Sequence, residues 1–159
     1  MKLLLKLLKP YFMKHISTII FLFLFIGANE IYAQNYNMTN GDTITTCTGM
    51  FYDSGGSASN YTNGENITYT ICPSNGTSSR VDFTSFNTEG YWDKLTIYDG
   101  DNVTAPTIGT YSGTAGPGFV EASLGNTSGC WTFVFSSNLS SNRPGWEGVI
   151  SCKPVCQNY

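Results

Sequence analysis

The sequence predicts an all-β protein, an antiparallel β-sandwich or barrel. Short runs rich in β-branched and aromatic residues recur about every ten residues, and Gly, Asn, Ser and Asp separate them. No stretch beyond the first 33 residues sustains helical periodicity. Many short strands at this spacing are typical of a sandwich or a closed barrel. The predicted strands cover residues 66–71, 80–86, 94–98, 108–111, 119–123, 131–136 and 147–151.

The first 33 residues have the pattern of a secretory signal peptide. Four lysines precede an apolar run over residues 19–27, and the small residue Ala33 stands where cleavage is expected. The alternative is a membrane anchor, but the apolar run is shorter than the roughly 20 residues that a spanning helix needs. We therefore expect cleavage after Ala33 and a secreted or cell-surface product without a membrane span.

The chain beyond residue 33 is acidic. It holds four of the eight basic residues and ten of the eleven acidic ones, which gives a formal charge of −6. The basic residues stand singly along the sequence and form no footprint for a phosphate backbone. This argues against a nucleic-acid partner.

The sequence also argues against catalysis. The single histidine, His15, lies in the predicted signal peptide, so the secreted part can build no Ser-His pair, Cys-His pair or His-metal site. The spacing of Glu89 and Asp93 is compatible with a two-carboxylate glycosidase, but no other feature indicates a substrate cleft. We expect a non-enzymatic protein.

Two carboxylates at the mouth of a predicted hairpin form the candidate site. Asp93 has the same parity as Leu95 and Ile97, which places it on the core face of its strand together with them. A carboxylate at the edge of an apolar layer needs a hydrogen-bond, ionic or metal partner. Calcium is the natural candidate for Glu89 and Asp93. The alternative is that the two acids only cap turns.

Aromatic side chains divide into core and candidate ligand-binding residues. Trp131, Phe133 and Phe135 share one strand face, and we expect Phe83 to meet them across the sandwich. Three further rings flank turns, where they either cap the core or stand exposed as stacking platforms. These are Tyr91, Trp92 and Trp146.

Five cysteines follow the predicted signal peptide, and none is spaced as a CxxC pair. We expect two disulfides, Cys47 with Cys72 and Cys130 with Cys152, because each pair brackets neighbouring strand-like segments. The sequence alone does not fix this connectivity. Cys156 is left over, which suggests an intermolecular bridge, a partner in a longer parent chain, or a free thiol.

An ordered series of short motifs runs through the chain after Cys47. The motifs are FYDSGG at 51–56, SNY at 59–61, YTICP at 69–73, FTSF at 83–86, EGYWDKLTIYDG at 89–100, YSG at 111–113, FVFSSN at 133–138 and GWEGVISC at 145–152. This series resembles the CUB domain family over residues 47–152, preceded by a lead segment over 34–46 and followed by a tail over 153–159. The Asn/Thr/Gly-rich, His-free composition resembles a bacterial type of single CUB domain.

The resemblance implies a jelly-roll β-sandwich that serves as an extracellular interaction module. It also implies a calcium site in the end loops, with Glu89, Asp93, Asn138 and Ser140 as ligands and Tyr61 as a supporting residue. Asn138 stands where the family commonly has Asp. Because Asn removes one negative charge, calcium affinity should fall.

Three functions remain open on the sequence alone. We expect a secreted module that binds a protein partner, through a calcium-organised loop surface if the metal is present. The second is a carbohydrate-binding sandwich that uses the exposed aromatics. The third is a leader domain or fragment of a larger surface or adhesive protein.

Overall fold

The computed structural model describes residues 34–74 and 78–153. These residues form ten strands and one short 3-10 turn at Gly56–Ala58. The strands are β1 Asn35–Asn37, β2 Asp42–Thr45, β3 Thr48–Tyr52, β4 Asn66–Cys72, β5 Ser78–Asn87, β6 Lys94–Tyr98, β7 Thr107–Tyr111, β8 Phe119–Glu121, β9 Trp131–Ser136 and β10 Gly145–Lys153. The predicted cleavage site after Ala33, Cys156 and the tail beyond Lys153 lie outside the described residues.

The strands form two five-stranded sheets, as the all-β sandwich prediction requires. One sheet has the order β1-β3-β10-β5-β8 and the other the order β2-β4-β9-β6-β7. Six of the eight described strand pairs are antiparallel. The remaining pairs, β1 with β3 and β2 with β4, are parallel.

Sequence reasoning missed β1, β2 and β3, which are only three to five residues long. The first two contain Asn and Asp, which are depleted in strands, and β3 contains Gly49. β1 and β2 are edge strands that gain their order from pairing with longer neighbours. The segment predicted to lead into the domain therefore supplies one strand to each sheet.

The core lies between the sheets and is strongly aromatic. Trp131, Phe133 and Phe135 on β9 are fully buried, as their shared face predicts. Phe83 on β5 meets Phe133 from the opposite sheet, with the ring centroids 6.4 Å apart. Phe51 on β3 packs more closely on Phe133, at 4.9 Å. Rings from both sheets thus interdigitate as the alternation pattern predicts.

The predicted disulfide connectivity is wrong. The four cysteines do pair, but Cys47 bonds Cys152 and Cys72 bonds Cys130. The cause is topological, because Thr48 lies opposite Ser151 and Ile71 lies opposite Trp131 across antiparallel strands. Each disulfide therefore joins neighbouring strands of one sheet and not segments that follow each other along the chain.

The strand register places the four bonded cysteines together at one end of the sandwich, which we call the disulfide end. At the opposite end β4 and β6 begin where β9 finishes, since Asn66 and Lys94 both lie opposite Ser136. The loops 61–65, 88–93 and 137–142 meet there, and we call this the loop end. Every residue of the predicted metal site falls within these three loops.

A helix long and apolar enough to cross a membrane does not occur among the described residues.

Candidate functional site

Asp93 is the centre of the loop end. It directly precedes β6 and is fully buried, in line with its parity with Leu95 and Ile97. Its Oδ1 accepts a hydrogen bond from the backbone N–H of Asn138 at 2.8 Å, and its Oδ2 accepts one from the Tyr61 hydroxyl at 2.5 Å. Both oxygens of this buried carboxylate are therefore paired, which is what makes its burial tolerable.

Tyr61 links two of the loops from beneath. Its ring is fully buried and packs edge-on against Phe135, with the centroids 4.9 Å apart. Its hydroxyl donates to Asp93 and accepts from the backbone N–H of Glu89 at 3.0 Å. Burial raises the pKa of Tyr61, and the hydrogen bond to Asp93 raises it further. The phenol therefore remains a hydrogen-bond donor.

Asn138 connects the two predicted metal-ligating acids. Its side-chain Nδ2 donates to Glu89 Oε2 at 2.6 Å while its backbone N–H donates to Asp93 Oδ1. We call this pair of bonds the Asn138 bridge. The amide oxygen accepts from the backbone N–H of Ser140 at 2.7 Å, which fixes which end of the amide faces Glu89.

The 88–93 loop is held by further bonds of its own. Thr88, which is buried, donates its hydroxyl to the backbone carbonyl of Asp93 at 3.0 Å, and the N–H of Asp93 donates to the carbonyl of Glu89 at 3.1 Å. Tyr91 adopts a left-handed backbone conformation with φ of 69°, which is uncommon for a residue with a side chain. Sequence reasoning missed Thr88, whose position in a polar run gives no signal of its role.

The structure brings Glu89, Asp93, Asn138 and Tyr61 into one hydrogen-bonded group. Ser140 belongs to the same loop, but its backbone N–H and its hydroxyl both point to Asn138 Oδ1, at 2.7 and 3.3 Å. It therefore supports the orientation of the Asn138 amide, and among the described residues it makes no hydrogen bond to either carboxylate.

The donor set does not fit calcium well. Calcium is bound by six to eight oxygen ligands. Asn138 instead directs N–H groups toward both acids. Its one side-chain oxygen is committed to Ser140. In the part of the chain that the structure describes, no group of three or more His, Cys, Asp and Glu side chains could hold a metal ion.

The three aromatics predicted as candidate ligand platforms divide into two kinds. Tyr91 and Trp92 are exposed by 87% and 68% at the tip of the 88–93 loop. Trp146 is the exception, because it is 1% exposed and stacks on Phe86 with the ring centroids 6.1 Å apart. Trp146 is the second residue of β10, and its side chain lies in the core. The prediction of a possible surface role for Trp146 is therefore wrong.

A third exposed apolar residue, a leucine, lies on another loop of the loop end. Leu139 is 88% exposed, and it directly follows the residue whose amide holds Glu89. We call Tyr91, Trp92 and Leu139 the loop-end patch. Sequence reasoning missed Leu139, although a lone apolar residue in the polar SSNLSS loop was a usable signal.

Residues 40–148, which are 109 of the 159 residues, match the family model of the CUB domain. This chain belongs to the CUB domain family. CUB domains are extracellular, non-catalytic protein-interaction modules, and the two disulfides of this one are consistent with secretion. The match includes the whole loop end.

Solved structures share the fold at low sequence identity. The CUB1-EGF-CUB2 domain of human MASP-1/3 aligns with 73% of this chain at 19% identity and a TM-score of 0.57. The full extracellular region of zebrafish Gpr126/Adgrg6 aligns with 74% at 17% identity and a TM-score of 0.59. The MASP-1 CUB2 domain bound to Ca²⁺ aligns with 71% at 20% identity and a TM-score of 0.58.

The matched share of these other chains differs widely. This chain spans 43% of the human MASP-1/3 chain and 15% of the zebrafish chain, but 99% of the isolated CUB2 domain. At such identities the likeness shows the fold alone. The comparisons give no support to the expected bacterial type.

Proposed function

We propose that this CUB domain is a secreted module that binds a protein partner through its loop end. The observation that carries the proposal is the loop-end patch, in which three large side chains point into solvent from loops that are bonded to one another. Tyr and Trp are enriched among the residues that dominate binding energy at protein interfaces. The patch lies on loops, where binding residues are commonly found.

The bonds beneath the patch favour binding with little loss of conformational entropy. The tip that carries Trp92 is anchored through Glu89 and Asp93 to Asn138, which stands next to Leu139. Patch side chains from two loops are therefore held on one connected backbone framework. Rigid presentation of this kind lowers the entropic cost of association.

Charge favours a partner with a basic group beside an apolar one. Glu89 lies within the same loop as Tyr91 and Trp92, and the chain beyond residue 33 carries a formal charge of −6. A net negative charge of this kind attracts basic partners and disfavours acidic ones. Calcium has no part in this proposal, because Asn138 presents hydrogen-bond donors to the acids.

The proposal is tested by placing a photo-crosslinking amino acid at position 92 of the secreted protein. A matched control carries it at position 124, because Leu124 is 83% exposed at the disulfide end, just before Cys130 and β9. In the native surface fraction we expect a protein adduct from position 92 only. The same adduct from position 124, or none from position 92, would contradict the proposal.

Binding of the purified partner then measures the patch directly. We expect Trp92→Ala to weaken binding about tenfold or more, which is typical of a central interface aromatic. Leu124→Ala should bind as the wild type does. The unfolding free energy of Trp92→Ala should stay within about 0.5 kcal/mol of the wild type, because the ring is a surface group.

A surface glycan is the second candidate ligand, favoured by the two exposed rings at the 88–93 tip. Aromatic faces can stack on a sugar ring, and Trp92 and Tyr91 are both accessible for this. A glycan array distinguishes the candidates. Glycan binding that Trp92→Ala abolishes, together with no protein adduct at position 92, would favour the carbohydrate function.

A further inference from the structure

We propose that Asn138 takes the place of a cation at the loop end, so that the fold of this CUB domain is independent of calcium. The Asn138 bridge supplies an N–H donor to each of the two acids that a metal would otherwise neutralise. This inference goes beyond the proposed function and does not depend on the identity of the partner.

The two acids of the site need compensation for their negative charge. Glu89 and Asp93 approach the same residue, and Asp93 is fully buried. Two carboxylates gathered at a partly buried site repel each other and need positive charge or hydrogen-bond donors. Three of their four oxygens accept a bond from the protein: Asp93 Oδ1, Asp93 Oδ2 and Glu89 Oε2.

The hydrogen bonds of Asn138 fix the orientation of its side-chain amide. Ser140 donates its backbone N–H to Asn138 Oδ1 at 2.7 Å, so the amide nitrogen must face Glu89. Turning the amide to offer its oxygen to a metal would place two oxygens 2.6 Å apart. It would also turn the NH₂ group against the Ser140 N–H. Asn138 therefore cannot act as an oxygen ligand in this loop conformation.

A carboxylate at position 138 would reverse this arrangement. Asn138→Asp keeps the backbone N–H to Asp93 and the oxygen that accepts from Ser140, but it removes the donor to Glu89. It leaves three acids where the wild type has two. With a third carboxylate opposite Glu89, the site would offer the oxygen ligands that calcium prefers.

A single substitution, Asn138→Asp, should make the melting temperature of the protein depend on calcium. The melting temperature of the wild-type secreted protein should be the same in chelator and in about 1 mM calcium, a concentration suited to extracellular calcium modules. Asn138→Asp should melt several degrees lower than the wild type in chelator. Its melting temperature should then rise with the logarithm of the calcium concentration.

Two further variants complete the test. Asn35→Asp makes the same charge change at an exposed residue of edge strand β1, and it should show no calcium dependence. Asn138→Ala removes the donor without adding an acid, so it should melt below the wild type and stay insensitive to calcium. This variant keeps the test decisive if Asn138→Asp fails to fold.

Three results would overturn the inference. They are a calcium-dependent rise in the wild-type melting temperature, an Asn138→Asp variant as calcium-insensitive as the wild type, and an Asn138→Ala variant as stable as the wild type. Terbium luminescence, excited through nearby aromatic rings, gives a second readout. We expect signal from Asn138→Asp and none from the wild type. None of these measurements involves the partner, so they can fail or succeed independently of the proposed binding function.

Discussion

The two ends of the sandwich are held by different kinds of bond. At the disulfide end a covalent link joins neighbouring strands in each sheet, Cys47 to Cys152 in one and Cys72 to Cys130 in the other. At the loop end the corresponding connections are hydrogen bonds to Glu89 and Asp93. Covalent ties at one end leave the loops of the other free to carry a binding surface.

The two ends are also similar in one respect, because a buried acid flanks strand β6 at each of them. Asp93 precedes β6 and Asp99 follows it, and each is buried and meets an asparagine. Asn138 donates its backbone N–H to Asp93, whereas Asn126 donates its side-chain amide to Asp99 Oδ1 at 2.7 Å. Buried acids at the ends of a strand are thus paired with neutral donors on adjacent loops. The difference is that only the loop-end asparagine contacts a second acid.

The largest expected effect comes from cutting the covalent end. Replacing both Cys47 and Cys152 with Ser should lower the unfolding free energy by about 2 to 5 kcal/mol, because their bond closes a loop with a sequence separation of 105. Urea unfolding measures the change. Hydrogen exchange of the 137–142 loop in the folded variant should match the wild type, and faster exchange there would show that the two ends are not independent.

Each end of the sandwich also contains one buried tryptophan. Trp131 donates its Nε1–H to the carbonyl of Ser79 at 3.0 Å. The buried Nε1 of Trp146 has no hydrogen-bond partner among the described residues. Replacement with Phe leaves a cavity at either site, but only at position 131 does it also break a hydrogen bond.

We therefore expect Trp131→Phe to destabilise the protein by about 1 kcal/mol or more beyond Trp146→Phe. Chemical denaturation of the two variants gives the difference. Equal losses, or a greater loss at position 146, would mean that the Trp146 indole N–H is satisfied in solution.

An effect of comparable size is expected from Tyr61→Phe at the loop end. The change removes one hydroxyl and leaves an oxygen of the buried Asp93 and the Glu89 N–H without their partner. Loss of such a bond should cost about 1 to 3 kcal/mol in unfolding free energy. Thermal melts measure it, with Tyr91→Phe as the exposed control that should leave stability unchanged.

The smallest effect is a pH dependence that arises next to the loop end. Asp53, which is fully buried, accepts from the backbone N–H groups of Gly55 and Trp146, at 2.8 and 3.1 Å. Burial, helped by the nearby Glu65 carboxylate and partly opposed by these hydrogen bonds, raises the pKa of Asp53 to about 6.

Since the pKa of Asp53 is higher in the folded than in the unfolded state, its contribution to stability is complete below about pH 4. That contribution is lost as the pH rises through about 6. We expect this residue to make the protein about 1 to 2 kcal/mol more stable at pH 4.5 than at pH 7.5. Melting curves of Asp53→Asn should lack this component, and an unchanged pH profile in that variant would contradict the assignment.

Side-chain alternation in the sequence predicted which residues of the longer strands face the core. Alternation placed Asp93, Leu95 and Ile97 on one buried face, and it placed the β9 aromatics in the core, because side chains on a strand alternate between faces. Edge strands β1 and β2 carried no such pattern. Their order comes from pairing, which a linear reading does not contain.

The remaining errors have the same origin. Cys47 pairs with Cys152 because β3 lies beside β10, a neighbour relation that chain order hides. Trp146 stands close to turn residues in sequence, yet it begins a strand and faces the core. For Asn138 the family resemblance indicated the position, but which amide atom faces Glu89 depends on the Ser140 bond, which only three-dimensional geometry reveals.

The most direct test is hydrogen exchange of the secreted protein in complex with the purified partner that crosslinking identifies. It is measured in chelator and again with calcium. We predict slower exchange in the 88–93 and 137–142 loops on binding, with the same protection in both conditions. Protection at the disulfide end, around residues 123–130, or protection that requires calcium, would contradict a metal-independent binding surface at the loop end.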